Sequence, residues 1–184
     1  MMENGLFCWE IAGFIFVIVT GTLLHFVYNW TGQNRLAGIF SPVNESTWEH
    51  LKLLFYPTLL YSIVEYFVIG NRFPNFIAAK TLGITVGMLV IVAVFYTYTG
   101  IVGQHYLWAD ILTFVLGVAS TYAYSWRTIH QADAGMIPQF TAILITLVLL
   151  ACFAIFSFYP PHIPLFLDPV SKGYGVSGKN LSQK

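Results

Sequence analysis

Charge is what this sequence has least of. Lysine, arginine, aspartate and glutamate make up 9% of its 184 residues, where an ordinary soluble domain carries about 25%. A chain of this size cannot cover a water-facing surface with so few ionised groups, so a water-soluble globular fold is excluded. The eight basic and eight acidic residues cancel, which leaves no broad basic surface for nucleic acid. Cysteine is nearly as scarce. Cys8 and Cys152 both fall in apolar runs and read as buried small hydrophobes rather than a disulfide or a metal pair. Strict apolar–polar alternation is missing, which argues against a membrane β-barrel. No internal repeat is visible, so inverted-repeat transporter architectures find no support. Familiar chemical motifs are also absent: no H-E-x-x-H, H-x-x-x-H or C-x-x-C, no Walker A or G-x-G-x-x-G, and no G-x-S-x-G.

What is present is hydrophobic length. The chain is 57% apolar, and five segments, at about residues 6–28, 51–70, 78–99, 106–126 and 139–159, reach the roughly 20 residues that cross a hydrocarbon core. The expected fold is an all-α integral membrane bundle of five transmembrane helices, one domain over residues 1–168, with the lipid bilayer as its first partner. The first apolar stretch lacks a small-residue cleavage site and reads as a retained span. Trp9, Trp30, Trp48, Trp108 and Trp126 lie at or near the expected boundaries, where an amphipathic ring prefers the membrane interface. The tail, 169–184, is polar and glycine-rich, and its last ten residues are expected to be mobile.

Against this background SPVNESTWEHLKLLFYP (41–57) is a knot of polar groups set beside an apolar run. With five spans the connections alternate sides, and one side collects most of the chemistry: Asn29, Asn44, Glu45, Glu49, His50, Lys52, His105, Asp110, His162 and Asp168, with His25 one turn inside the first span. Polar groups from several helix ends meeting on one face is how sites are built in helical membrane proteins. Glu10, Glu65, Arg72, Lys80, Arg127, His130 and Asp133 fall on the other side and read as ordinary interfacial charge, with Glu65 and Arg72 able to approach on one helix face.

Each of these residues also has a plain structural reading. Ser46-Thr-Trp-Glu49 is a capping box, Ser46 accepting from the backbone of residue 49 and Glu49 reaching back. Alternatively Ser41 caps the helix with Pro42 at its first position. Glu45 and Glu49 would then sit one turn apart, a like-charge pair that a cation or proton would relieve. Lys52 can snorkel or pair with Glu49. Asp110 suits a helix N-terminus, His162 follows two prolines and can be exposed, and Asp168 before Pro169 can start a turn. His25 has no acidic neighbour in sequence, so its partner must come from another helix. The expectation is that His25, Glu49, His50 and one of His105 or Asp110 approach one another.

The segments PVNESTWEHLKLLFYP, GTLLHFVYNWTG and PPHIPLFLDPVSKGYG carry a further signal. Together they resemble a family of small bacterial multi-pass membrane proteins of unknown function, marked by PVNES-x-W-E-H-x-K and PP-x-IP-LF-x-DP. The resemblance implies a polytopic membrane location and supplies no activity.

Three functions are compatible with this reading. The first is a membrane-embedded hydrolase or transferase acting on a lipid-like substrate with a divalent metal. Glu45, Glu49 and Asp110 are then the candidate catalytic groups, and His25, His50 and His105 the candidate metal ligands. Asn29, Asn44, Lys52, His162 and Asp168 are candidate binding groups. The second is a proton-coupled transporter using Glu49, His50 and Asp110. The third is a structural or accessory membrane subunit whose polar cap only closes the bundle; a homo-oligomer or a membrane partner is left open. The positive-inside bias, counted without the distal tail lysines, places the N-terminus in the cytoplasm and the motif outside.

Overall fold

The computed structural model describes residues 2–129 and 137–176, with side chains from residue 5 onward. Its helices run in the order α1 (Met2–Trp30), α2 (Arg35–Phe40), α3 (Thr47–Val68), α4 (Phe76–Val102), α5 (Leu107–Ile129) and α6 (Gln139–Phe156), with 3-10 turns at Gly70–Arg72 and Pro164–Phe166. All but α2 are long and apolar enough to cross a membrane. The chain is therefore an all-α, multi-pass membrane protein of five spans. The short α2 lies in the connection between the first two spans. Asn34 starts it by accepting from the Leu36 amide at 2.8 Å, an N-cap that six residues with few apolar repeats do not advertise. Gly103, in the left-handed region at φ +80°, ends α4 as a glycine cap does.

Helical periodicity sorts α1 into two faces. Phe7, Ile11, Ile15, Val19, Leu23 and Phe26 recur about every four residues and are exposed, forming a lipid-facing stripe. Leu6, Glu10, Gly13, Val17 and Gly21 form the opposite, buried stripe. In lipid there is no hydrophobic drive between helices, so close association depends on small residues. Gly87 on α4 shows this most sharply. A methyl there would sit 1.9 Å from Thr121 Oγ1 and 2.7 Å from the Gly117 carbonyl of α5. Similarly, a methyl at Gly21 would sit 2.5 Å from the Leu53 carbonyl oxygen of α3. That carbonyl lacks its helical donor because residue 57 is proline, and the α1 backbone closes over it.

At the motif end, α2, residues 41–46 and the proximal tail fold over the bundle. Trp48 does not serve as a headgroup anchor: its ring lies between Phe153 (centroids 4.7 Å apart) and Phe166 (4.9 Å), joining α3 to α6 and the tail. Leu167 and Tyr174 make an isolated antiparallel bridge, and Asn44 Nδ2 donates to the Gly175 carbonyl at 3.1 Å. Residues 169–176 thus belong to the packed fold, while the rest of the tail, expected to be mobile, lies outside the described residues. His130 and Asp133 lie outside them too. The expectation of two buried cysteines needs correcting. Neither is in a disulfide, Cys152 is half-buried, and Cys8 is exposed because it is next to Phe7 on the outward side of α1.

Candidate functional site

The start of α3 sorts the opening motif into two groups that face different ways. Ser46 is the N-cap, its Oγ accepting from the Glu49 amide, so α3 begins after Glu45 and not at Pro42. The reciprocal half of the capping box is altered. Glu49 Oε2 accepts from the Val43 amide at 2.9 Å, while the Ser46 amide is taken by Asn44 Oδ1 at 2.9 Å.

Glu49 and Lys52 are buried together, 2.7 Å apart. Lys52 does not snorkel. Its Nζ donates to Glu49 Oε2, to Ser157 Oγ at 2.5 Å, and to the carbonyls of Gly38 at 2.8 Å and Ser41 at 3.3 Å. Glu49 Oε1 accepts from Ser157 Oγ at 2.9 Å. Both carboxylate oxygens and the ammonium are satisfied, with one charge of each sign. This network ties α2, the 41–46 segment, α3 and α6 together, which is what a buried pair needs to offset its desolvation.

Glu45 and His50 turn the other way, into a cavity of about 610 Å³ between α1, α3, α4, α5 and the tail. Its walls are mainly apolar, including Leu53, Ile91, Phe95 and Phe114, and its titratable groups are His25, Glu45, His50, His105 and Asp110. His50 Nδ1 lies 2.9 Å from the Ser46 carbonyl. A carbonyl only accepts, so Nδ1 carries the proton and Nε2 is directed elsewhere. Nε2 lies 3.4 Å from Glu45 Oε2. The His25 ring is 5.3 Å from the His50 ring, and one ligand atom from each of His25, Glu45 and His50 lies within 4.8 Å of the other two. A small rotation of these side chains would bring three N and O donors to one cation, a set that suits zinc, manganese or iron. Across the cavity, His105 Nδ1 is 3.1 Å from Asp110 Oδ2, and Tyr98 donates to Asp110 Oδ1.

The residues expected to form one cluster therefore form two. His25 and His50 meet with Glu45, and His105 and Asp110 line the same cavity, but Glu49 belongs to the Lys52 network and is not among the lining residues. The reason is angular. Residues 49 and 50 differ by about 100° around a helix, so one faces α6 while the other faces α1. Asn44 and Asp168 serve as ties: Asp168 is buried and accepts from the Val170 amide and Ser171 Oγ. His162 is exposed with its ring against Tyr174, and Asn29 is exposed at the end of α1. From the tail, Pro169 and Val170 line the cavity.

At the other end of the bundle the expectation of ordinary interfacial charge is overturned. Glu10, Glu65 and Lys80 are 3%, 0% and 3% exposed. Lys80 Nζ lies 2.9 Å from Glu10 Oε1 and 2.7 Å from Glu65 Oε2, and Ser125 Oγ donates to Glu10 Oε1 at 3.0 Å. Arg72, the partner expected for Glu65, is exposed in the 3-10 turn. The signal for this cluster lay in the helix period. Glu10 falls on the same stripe as Leu6, Gly13 and Val17, and an acidic residue on the small-residue face of a span must find a cation inside.

No curated protein and no solved structure matches this chain. A family model matches residues 3–176, nearly the whole length and both ends of the polar cap, and the chain belongs to that family, described as a family of unknown function, DUF6512.

Proposed function

We propose that this protein is a membrane-embedded hydrolase or transferase for a lipid-like substrate, using a divalent cation held by His25, Glu45 and His50. The observation that carries the reading is their convergence at a mainly apolar cavity, a shape that takes a hydrocarbon chain while its polar groups orient the reacting end. A cation there would supply Lewis acidity and an activated water. The chain's own residues do the rest. The Ser46 carbonyl fixes the His50 ring, as an outer partner does for a metal-binding histidine. The His105–Asp110 pair, with Tyr98 behind it, stands ready to accept and return a proton. Glu49 drops out as a general base, since both its oxygens are already engaged.

The reading further places the N-terminus in the cytoplasm, with the cavity opening outward. Arg72, in the turn after α3, and Arg127, at the end of α5, support this under the positive-inside rule against Arg35 on the motif side, with the tail lysines left out; Lys80 and Lys52, both in buried ion pairs, no longer count toward either side. Impermeant thiol labelling of Gln33→Cys in whole cells tests the orientation, and protection of that site reverses it. Metal analysis of the purified protein tests the chemistry. Stoichiometric zinc, manganese or iron is expected, lost in His50→Ala, together with chelator-sensitive turnover of a lipid ester or phosphoester. A protein that takes up none of these metals defeats the reading.

A further inference from the structure

We propose that the Glu10–Glu65–Lys80 cluster is a proton-binding site, in which the two carboxylates share one exchangeable proton. It lies at the opposite end of the bundle from the cavity and stands independently of the metal reading. Two acidic groups contact one ammonium: Glu10 at 2.9 Å from α1 and Glu65 at 2.7 Å from α3, on Lys80 of α4. All three are at least nine-tenths buried. Fully ionised, the cluster would carry a net negative charge inside a low-dielectric bundle, which is costly to bury. Two carboxylates held against one ammonium relieve this when either of them takes up a proton.

Among the described residues, the other groups around it supply no second cation. α3 adds the Tyr61 hydroxyl, which donates to the Trp9 carbonyl. α5 adds Ser125 and Tyr122, whose ring lies 5.2 Å from Lys80 Nζ. α6 has no acidic or basic residue, and Arg72 and Arg127 are exposed.

The hydrogen bonding points to the same ligand. Glu10 Oε2 and Glu65 Oε1, both buried, meet no donor among the described residues. A protonated carboxyl supplies the missing O–H. A metal cation fits less well, because Lys80 Nζ already occupies the point between the carboxylates and would repel it. The location permits exchange, since Lys80 lies in the second turn of α4 and Glu65 in the last turn of α3.

Infrared difference spectroscopy of the purified protein tests this. At neutral pH the wild type should show a carboxylic-acid C=O band that shifts in D2O. Glu10→Gln and Glu65→Gln should each abolish it, because either change leaves a neutral one-to-one pair needing no proton. One folded variant suffices for a first answer, and both are built to keep an ion pair. Lys80→Met should raise the band about twofold, since two carboxylates then lack an ammonium. The proposal is overturned if no band differs between wild type and variants, or if the band survives in a folded Gln variant. It is also overturned if sodium removes the band at constant pH, which would mark a metal-cation site.

Discussion

The two ends of this bundle bury the same chemistry in different proportions. At the motif end one glutamate meets one lysine, and every oxygen and the ammonium have partners in Val43, Ser157, Gly38 and Ser41. At the opposite end two glutamates meet one lysine, and two carboxylate oxygens meet no donor among the described residues. Burial alone therefore does not separate a staple from a site. A pair balanced in charge and hydrogen bonds has nothing left to bind, whereas an unbalanced cluster retains capacity for a ligand. The same rule separates Glu49 from Glu45 within one motif. Glu49 is consumed by the fold, while Glu45, four residues earlier, faces the cavity with His50.

Substitutions can break or sharpen this contrast. The largest effect is expected from Lys52→Met, which leaves Glu49 charged and buried without its cation. Unfolding in detergent should show a loss of about 3–5 kcal/mol, and adding Glu49→Gln in the same chain should recover part of it. Next come the two matched carboxamide changes. Glu49→Gln should cost about 1.5–3 kcal/mol, the scale of a hydrogen bond to a charged group. Glu10→Gln should stay within about 1 kcal/mol, because Glu65 still pairs Lys80. Equal losses in the two variants would erase the distinction between the ends.

Gly87→Val should cost about 1–3 kcal/mol by overpacking the α4–α5 contact, while leaving metal uptake by the cavity unchanged. Coupled loss of metal would mean that the α4–α5 contact also sets the shape of the cavity, whose wall includes Ile91. The smallest effect is expected from Ser46→Ala, about 1 kcal/mol for a lost N-cap. Its thermal unfolding should shift while the infrared band assigned to the other end stays in place.

Much of this is legible in the sequence. Five runs of apolar length imply five helices because a backbone in lipid must satisfy its own hydrogen bonds. The capping residue Ser46, the gathering of histidines at one end and the partnership of His25 with the start of α3 followed from spacing and chain order. The division of the motif did not, because whether Glu49 or His50 faces the cavity depends on where α1 and α6 pack. The Glu10–Glu65–Lys80 cluster was hidden for a related reason. Its members are 55 and 15 residues apart in sequence, and each, taken singly near a helix end, looks like interfacial charge.

What the sequence by itself determined is the solvent and the secondary structure: too little charge for water, enough apolar length for five crossings, and a polar cap at one end. These are local properties, set by the transfer free energy of each segment and the capping of each helix. Only the tertiary structure decided which charges are spent on holding the fold and which remain available. That depends on the rotation of each helix about its axis, and the rotation follows from contacts such as Gly87 against Gly117 and Gly21 over the Leu53 carbonyl. Pairing in a low-dielectric interior is a matter of a few ångströms, and distances on that scale between separate helices are set by packing.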